Sequence, residues 1–243
     1  MMKFRLGRTI GLAALATVLS ACSGDNDGSV SPPGAQPFAE LYEQGILRYL
    51  GMYSPSGTSV DGDVTSYSFA TGDGPLCLDG SGYNMATRDQ GSQDLVIFLQ
   101  GGGGCWSTFC SAFENAPPGL PSAGILDPTL PGNPVASWNQ VYLPYCDGGL
   151  HSSDKDNDYD GDGQVDTPQR GLHNLSASLD VAVNTFPSPR RILLTGVSAG
   201  AFGTTFALPL VRHLYPDVPI EIINDSGIGV GRPNDPDYLR LLQ

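Results

Sequence analysis

An α/β fold, a mainly parallel sheet with helices on both faces, is predicted by three features of the 243-residue sequence. First, apolar runs of strand length stand at Leu95–Leu99 (LVIFL), Gln140–Tyr145 (QVYLPY) and Arg191–Thr195 (RILLT), as expected of strands buried on both faces, and Pro219–Asn224 (PIEIIN) reads as a fourth strand. Second, segments of helical period alternate with the later runs, which calls for right-handed crossovers between parallel strands. Third, each run ends in a turn-forming loop: Gly101–Gly104, Cys146–Leu150, Gly196–Gly200 and Asp225–Gly227. In a parallel sheet these four loops share one edge, where functional groups collect.

The remaining elements follow in chain order. Lys3, Arg5 and Arg8 precede a 10-residue apolar stretch, Ile10–Leu19, too short to span a bilayer. Leu19-Ser20-Ala21-Cys22 resembles the lipobox of bacterial lipoproteins, which implies lipidation at Cys22. The expectation is an exported bacterial lipoprotein, membrane-anchored, in the periplasm or at the cell surface. Residues 1–22 then form the signal peptide and the polar, unpatterned residues 23–37 a flexible linker. Residues 38–243 form the α/β domain, with no further boundary evident.

Phe38–Leu50 has apolar residues at helical spacing. Thr65–Ala70 alternates as a strand does, and Tyr83–Arg88 follows a Gly-Ser-Gly turn as another. A long Pro/Gly-rich excursion occupies Ala116–Ser137. Gly171–Phe186 has helical period and is stopped by Pro187 and Pro189. Ala199–Tyr215 is the next helix, with Pro209 inside it as an expected kink.

Composition narrows the partners. With 12 basic and 25 acidic residues the formal net charge is −13, which argues against nucleic acid. An exported chain meets an oxidising compartment, where Cys77, Cys105, Cys110 and Cys146 can pair. Spacing alone does not choose among the three pairings, and a metal site competes weakly because there is no CxxC.

Gly196-Val197-Ser198-Ala199-Gly200 fits the G-x-S-x-G turn that lifts a nucleophilic serine above a sheet, between a strand and a helix as that turn requires. An attacked ester develops an oxyanion, best held by fixed backbone N–H groups. The glycine run in FLQGGGGCWS supplies such groups after an early strand, and no Lys-Ser/Thr follows to make it a P-loop.

At these residues the chain resembles the family of the pectin acetylesterases and the carboxylesterase Notum. CLDGSGYNM from Cys77, FLQGGGGCW, WNQVYLPYCDGGLHSSD from Trp138, Arg170-Gly171, TGVSAGAFG and Asp225-Ser226-Gly227 match its motifs in order. The resemblance implies an α/β-hydrolase-like fold and a serine carboxylesterase. It would remove acetyl or other acyl groups, with an acylated carbohydrate or small ester as substrate and no cofactor for catalysis. Carried over by residue, Ser198 is the nucleophile, and Gly103, Gly104 and Ala199 are the oxyanion donors. Gly104 stands about where the family often has tryptophan. The resemblance also implies disulfides Cys77–Cys146 and Cys105–Cys110. Trp106, His151 and Asp225 are candidate substrate-site residues.

A serine needs a base. His213 lies fifteen residues along the helix after Ser198, about 22 Å away, and His173 sits in the preceding helix as a surface or packing residue. His151 alone lies on the right edge and is the only geometrically plausible base in the chain, but contact with substrate or solvent is the expectation for it. In the resembling family the triad acid and histidine come far downstream of the elbow. The expectation is therefore a domain incomplete at its C-terminus and, as written, short of its activating partner. The competing reading is a non-catalytic, surface-anchored binding protein on a hydrolase scaffold.

Residues 154–166 read DKDNDYDGDGQVD. Asp158, Asp160, Asp162, Gln164 through its carbonyl and Asp166 follow the first nine positions of an EF-hand-like loop, with Gly163 at the turn. Position twelve is Gln169 rather than glutamate, and no helices flank it, so a lone structural calcium loop is expected.

Overall fold

The computed structural model describes residues 37–72, 74–106 and 109–227. The proposed signal peptide with Cys22, nearly all of the linker, and the segment after Gly227 lie outside the described residues.

A seven-stranded sheet organises the chain. Its strands are β1 (Gly57–Asp61), β2 (Val64–Ser68), β3 (Asn84–Arg88), β4 (Asp94–Leu99), β7 (Asn139–Leu143), β10 (Arg191–Val197) and β11 (Ile220–Asp225). The spatial order is β1-β2-β3-β7-β4-β10-β11. From β7 to β11 every pair is parallel, whereas β1 to β3 form an antiparallel meander that joins β7 antiparallel. Parallel pairing thus holds for the strands that carry the site. Two small hairpins stand outside the sheet: β5 (Gly103–Trp106) with β6 (Phe109–Ala112), and β8 (Lys155–Asn157) with β9 (Thr167–Gln169).

The main core lies between the sheet and helices α2 (Gly171–Thr185) and α3 (Ala199–Leu214). Leu95, Ile97 and Leu99 of β4, Val141 and Leu143 of β7, and Ile192 and Leu194 of β10 meet Leu175, Leu179 and Leu210 there. The alternate residues Val96 and Leu193 face the other side, where Val135, Ile125 and Trp138 cover them. Helices on both faces were expected. Among the described residues both long helices share one face, and the Pro/Gly-rich excursion, poorly suited to a helix, closes the other.

The helix expected over Phe38–Leu50 is also corrected. Only α1 (Ala39–Glu43) is α-helical. Gly45 at φ 81° and Gly51 at φ 75° bend the chain left-handed, and the intervening turns pack Ile46, Leu47 and Leu50 on the main core. In contrast, α3 runs unbroken through Pro209.

Candidate active site

The four parallel strands β7, β4, β10 and β11 end on one edge, so their loops gather there. Ser198 stands between β10 and α3 at φ 53° and ψ −119°, a conformation that costs a non-glycine residue about 1–3 kcal/mol. Close packing enforces it. A Cβ at Gly200 would overlap the Leu99 carbonyl oxygen, and one at Gly196 would stand 2.7 Å from it. Strand β10 and helix α3 can therefore approach β4 backbone to backbone only because both positions lack side chains. Ser198 N–H donates to Asp225 O at 2.9 Å, and Asn224 Nδ2 donates to Ala201 O at 2.7 Å, which ties β11 to the first turn of α3.

The Ser198 side chain is exposed and does not cap the helix. The N–H groups of Ala199 and Gly200 come before the first helical acceptor and lie at the positive end of α3, whereas those of Ala201 and Phe202 already donate to Ser198 O. An anion forming at Ser198 would meet the former pair.

The tetraglycine loop reaches the same place. A Cβ at Gly101 would overlap Val197 O and stand 2.9 Å from Ser198 Cβ, so Gly101 lies directly against the elbow. Gly103 and Gly104, the expected donors, open the β5–β6 hairpin. Phe113 N–H donates to Gly102 O at 3.0 Å, making 102 and 113 a hydrogen-bonded pair. Alternation in an antiparallel ladder then turns the Gly104 N–H toward Ser111 and leaves that of Gly103 outside the ladder. Sequence spacing could not show this register.

Both disulfides form in the pairing expected. Cys77–Cys146 joins the approach to β3 to the end of β7, and Cys105–Cys110 crosses the β5–β6 hairpin. Neither pair is a metal site. Trp106 is 64 % exposed and packs on Phe109 at 4.4 Å between ring centroids. Phe113 is also exposed. A cleft of about 720 Å³ opens beside this hairpin, between Gln100, Phe113, Glu114, Leu120, Tyr142 and Pro144. Asp225 is exposed beside the elbow, paired in register with Val197, and its Oδ1 accepts from Ser226 Oγ at 3.0 Å.

His151 is the main correction at the site. It is 1 % exposed rather than facing solvent or substrate. Its Nε2 lies 2.8 Å from Gln100 O, which can only accept, so Nε2 carries a proton. Burial pushes its pKa below the ordinary histidine value, against the opposing pull of the Asp147 carboxylate and the Gln100 carbonyl. His173 is likewise committed elsewhere, with Nε2 on Asp154 at 2.8 Å and Nδ1 on the Tyr53 hydroxyl at 2.7 Å. His213 lies in the last turn of α3, edge-on to Tyr42.

The acidic loop is the tip of the β8–β9 hairpin. Carboxylate oxygens of Asp158, Asp160 and Asp166 converge within 4.8 Å of one another. Asp158 also accepts from the N–H groups of Gly161 and Gly163, at 2.7 and 2.9 Å, and these bonds lower its pKa. Asp162 bonds instead to the Gln164 N–H and side-chain amide. An all-oxygen donor set fits a hard cation such as calcium.

Comparison with known proteins agrees with this architecture. Residues 57–234 match the family model described as Pectinacetylesterase. Pectin acetylesterase 4 of Arabidopsis thaliana is 31% identical over 172 residues, which are 63% of this chain and 41% of that protein. Pectin acetylesterase 5 of the same plant is 29% identical over 177 residues, 66% of this chain and 41% of that protein. Palmitoleoyl-protein carboxylesterase notum2 of Xenopus laevis is 25% identical over 173 residues, 63% of this chain and 33% of that protein. The solved structure of the Wnt deacylase Notum from Drosophila has a similar fold. Its TM-score is 0.50 at 20% identity, over 66% of this chain and 52% of that one. The chain thus spans about 41% of the length of the plant relatives. These relatives are plant and animal proteins, and that finding overturns the expectation of a membrane-anchored bacterial lipoprotein lipidated at Cys22.

Proposed function

The chain belongs to the pectin acetylesterase family, and from that premise we propose that it is a serine ester hydrolase acting through Ser198. The observation that carries the reading is the meeting of two backbone turns at one exposed hydroxyl. Ser198 sits at the uncapped N-terminus of α3 with Gly101 packed against it. Ser198 Oγ attacks the ester carbonyl and its proton passes to a base. The tetrahedral oxyanion is held by the N–H groups of Ala199 and of the tetraglycine loop. Collapse expels the alcohol and leaves an acyl-enzyme, which water then hydrolyses. His151, His173 and His213 are committed elsewhere, so the proposal assigns the base and its acid to residues outside those described.

The names of the plant relatives favour an acetyl ester of a polysaccharide as substrate. Exposed Trp106, Phe109 and Phe113 on and after the β5–β6 hairpin suit the apolar faces of sugar rings. The reading also includes calcium at the acidic loop, held by Asp158, Asp160 and Asp166 and stiffening the β8–β9 hairpin without a part in hydrolysis.

The test is hydrolysis of p-nitrophenyl acetate, and acetate release from acetylated pectin, by the full-length protein and its Ser198→Ala variant. The variant should lose at least about a thousandfold in kcat. Equal rates for the two proteins would dismiss the serine mechanism. Hydrolysis of the nitrophenyl ester without acetate release from pectin would dismiss the polysaccharide.

A further inference from the structure

Whether the tetraglycine loop can serve an oxyanion depends on which way its peptide planes face. In a planar trans peptide the carbonyl of one residue and the N–H of the next point in opposite directions. Whatever grips a carbonyl from one side therefore aims the following N–H to the other. Three carbonyls of this loop are gripped. Gln100 O accepts from His151 Nε2 at 2.8 Å, Gly102 O from Phe113 N–H at 3.0 Å, and Gly103 O from the Tyr145 hydroxyl at 3.1 Å. The first sets the N–H of Gly101, the residue lying against Ser198. The second sets that of Gly103.

We propose that His151 and Tyr145 are positioning residues: from the loop that follows β7, His151 holds the carbonyl of Gln100 and so orients the Gly101 N–H beside Ser198, while Tyr145 holds the carbonyl of Gly103 and so fixes the residue whose own N–H faces out of the β5–β6 ladder. The inference rests on the esterase reading above and adds to it the groups that fix the loop.

Both side chains are themselves held. His151 N–H donates to Asp147 Oδ2 at 3.2 Å, and the same oxygen accepts from Gly149 N–H at 2.8 Å and Ser153 Oγ at 3.0 Å. The His151 ring fills the space above Gly203, where a Cβ would come within 2.8 Å of its Cδ2. On its other side it meets the Tyr145 ring, 5.0 Å between centroids. Tyr145 packs over Gly102, where a Cβ would come within 2.6 Å of its Cδ1, and its hydroxyl accepts from Leu150 N–H at 3.1 Å. With that bond made, the hydroxyl proton is left for Gly103 O. Burial raises the Tyr145 pKa far above the ordinary phenol value, so the proton stays in place. Leu150 and His151 both adopt φ 61°, a strained pair that this network holds. Tyr145 N–H in turn donates to the Gln100 side-chain oxygen at 3.0 Å, which locks the two loops in register.

The experiment compares the full-length parent with Tyr145→Phe, His151→Leu and His151→Gln. Rates of p-nitrophenyl acetate hydrolysis are normalised to active sites counted by the nitrophenolate burst. Affinity for a trifluoromethyl ketone, whose adduct with the serine carries the oxyanion, is measured alongside. Tyr145→Phe removes one oxygen and keeps the ring, so it isolates the hydrogen bond. We expect kcat per site to fall about tenfold with KM within twofold, and ketone affinity to fall in parallel. His151→Leu should lose more, and His151→Gln, which can still donate, should recover part of the loss. A purely structural role would lower the melting temperature and the number of titrated sites but leave kcat per site unchanged, and that result overturns the inference. So does a rise in KM alone. If the parent is no faster than Ser198→Ala, the esterase reading itself fails and this inference falls with it.

Discussion

Gly101→Ala is the sharpest probe of the elbow. The new methyl would overlap the Val197 carbonyl oxygen and stand 2.9 Å from Ser198 Cβ. Carbon atoms in ordinary contact lie about 3.5–4.0 Å apart, so loop and elbow must separate by about 0.6–1 Å. Neither can yield easily, because Val197 is in the β10 ladder and Gln100 is gripped by His151. A displacement of about 1 Å at a reacting centre costs on the order of a hundredfold in rate, or about 2.7 kcal/mol of barrier. Overpacking should also lower stability by about 1–3 kcal/mol. The control is Gly104→Ala, whose methyl would meet nothing closer than 3.7 Å and so should stay within about threefold of the parent. The assay is kcat/KM on p-nitrophenyl acetate per titrated site, with urea unfolding alongside. If Gly101→Ala keeps parental kcat/KM, or Gly104→Ala is equally damaged, the contact between loop and elbow is not what organises the site.

The two disulfides should separate stability from activity. Loss of Cys77–Cys146, with a sequence separation of 69, should cost about 4 kcal/mol in urea unfolding, whereas loss of Cys105–Cys110, with a separation of 5, should cost about 2 kcal/mol and act mainly on kcat. A larger stability loss from the short bridge would contradict this. Burial lowers the pKa of His151 and His173, so the unfolded chain takes up protons before the fold does as pH drops through about 6.5. Stability should thus decline from pH 7 toward 5. It should decline again below about pH 4, where Asp94, held at about 2 by Arg190 and Arg191, loses its advantage over the unfolded carboxylate. Asp180, raised by burial, works in the opposite direction. A melting temperature constant from pH 7 to 5 would count against buried neutral histidines. Calorimetric titration with calcium should show saturable heat at about millimolar concentration or below, abolished in Asp158→Asn; no heat up to about 10 mM would remove calcium from the reading.

The scaffold of the site was legible wherever burial imposes a period. Strands β4, β7 and β10 are apolar runs because both faces of the sheet are covered, and α2 and α3 repeat at 3.6 residues because one face meets that sheet. Ser198 was legible because the elbow demands glycines at fixed offsets. Elements that bury little were not. Strand β1 is exposed throughout, and its only signal was the Gly62-Asp63 turn that joins it to β2. The β5–β6 hairpin hid within the glycine run, and β8–β9 within the acidic insertion. The role of His151 depends on a contact 51 residues away in sequence, to a backbone carbonyl, which no local pattern encodes. The choice among Gly101, Gly103 and Gly104 likewise waited on the hairpin register.

The β5–β6 hairpin begins inside the tetraglycine loop yet buries none of its described residues fully. Its outer aromatics, Trp106 and Phe109, lean on each other rather than on the core. Under the proposed hydrolase reading, this ribbon is free to change with the leaving group while the gripped carbonyls behind it keep their partners, so the two demands fall on opposite sides of the same few peptide units.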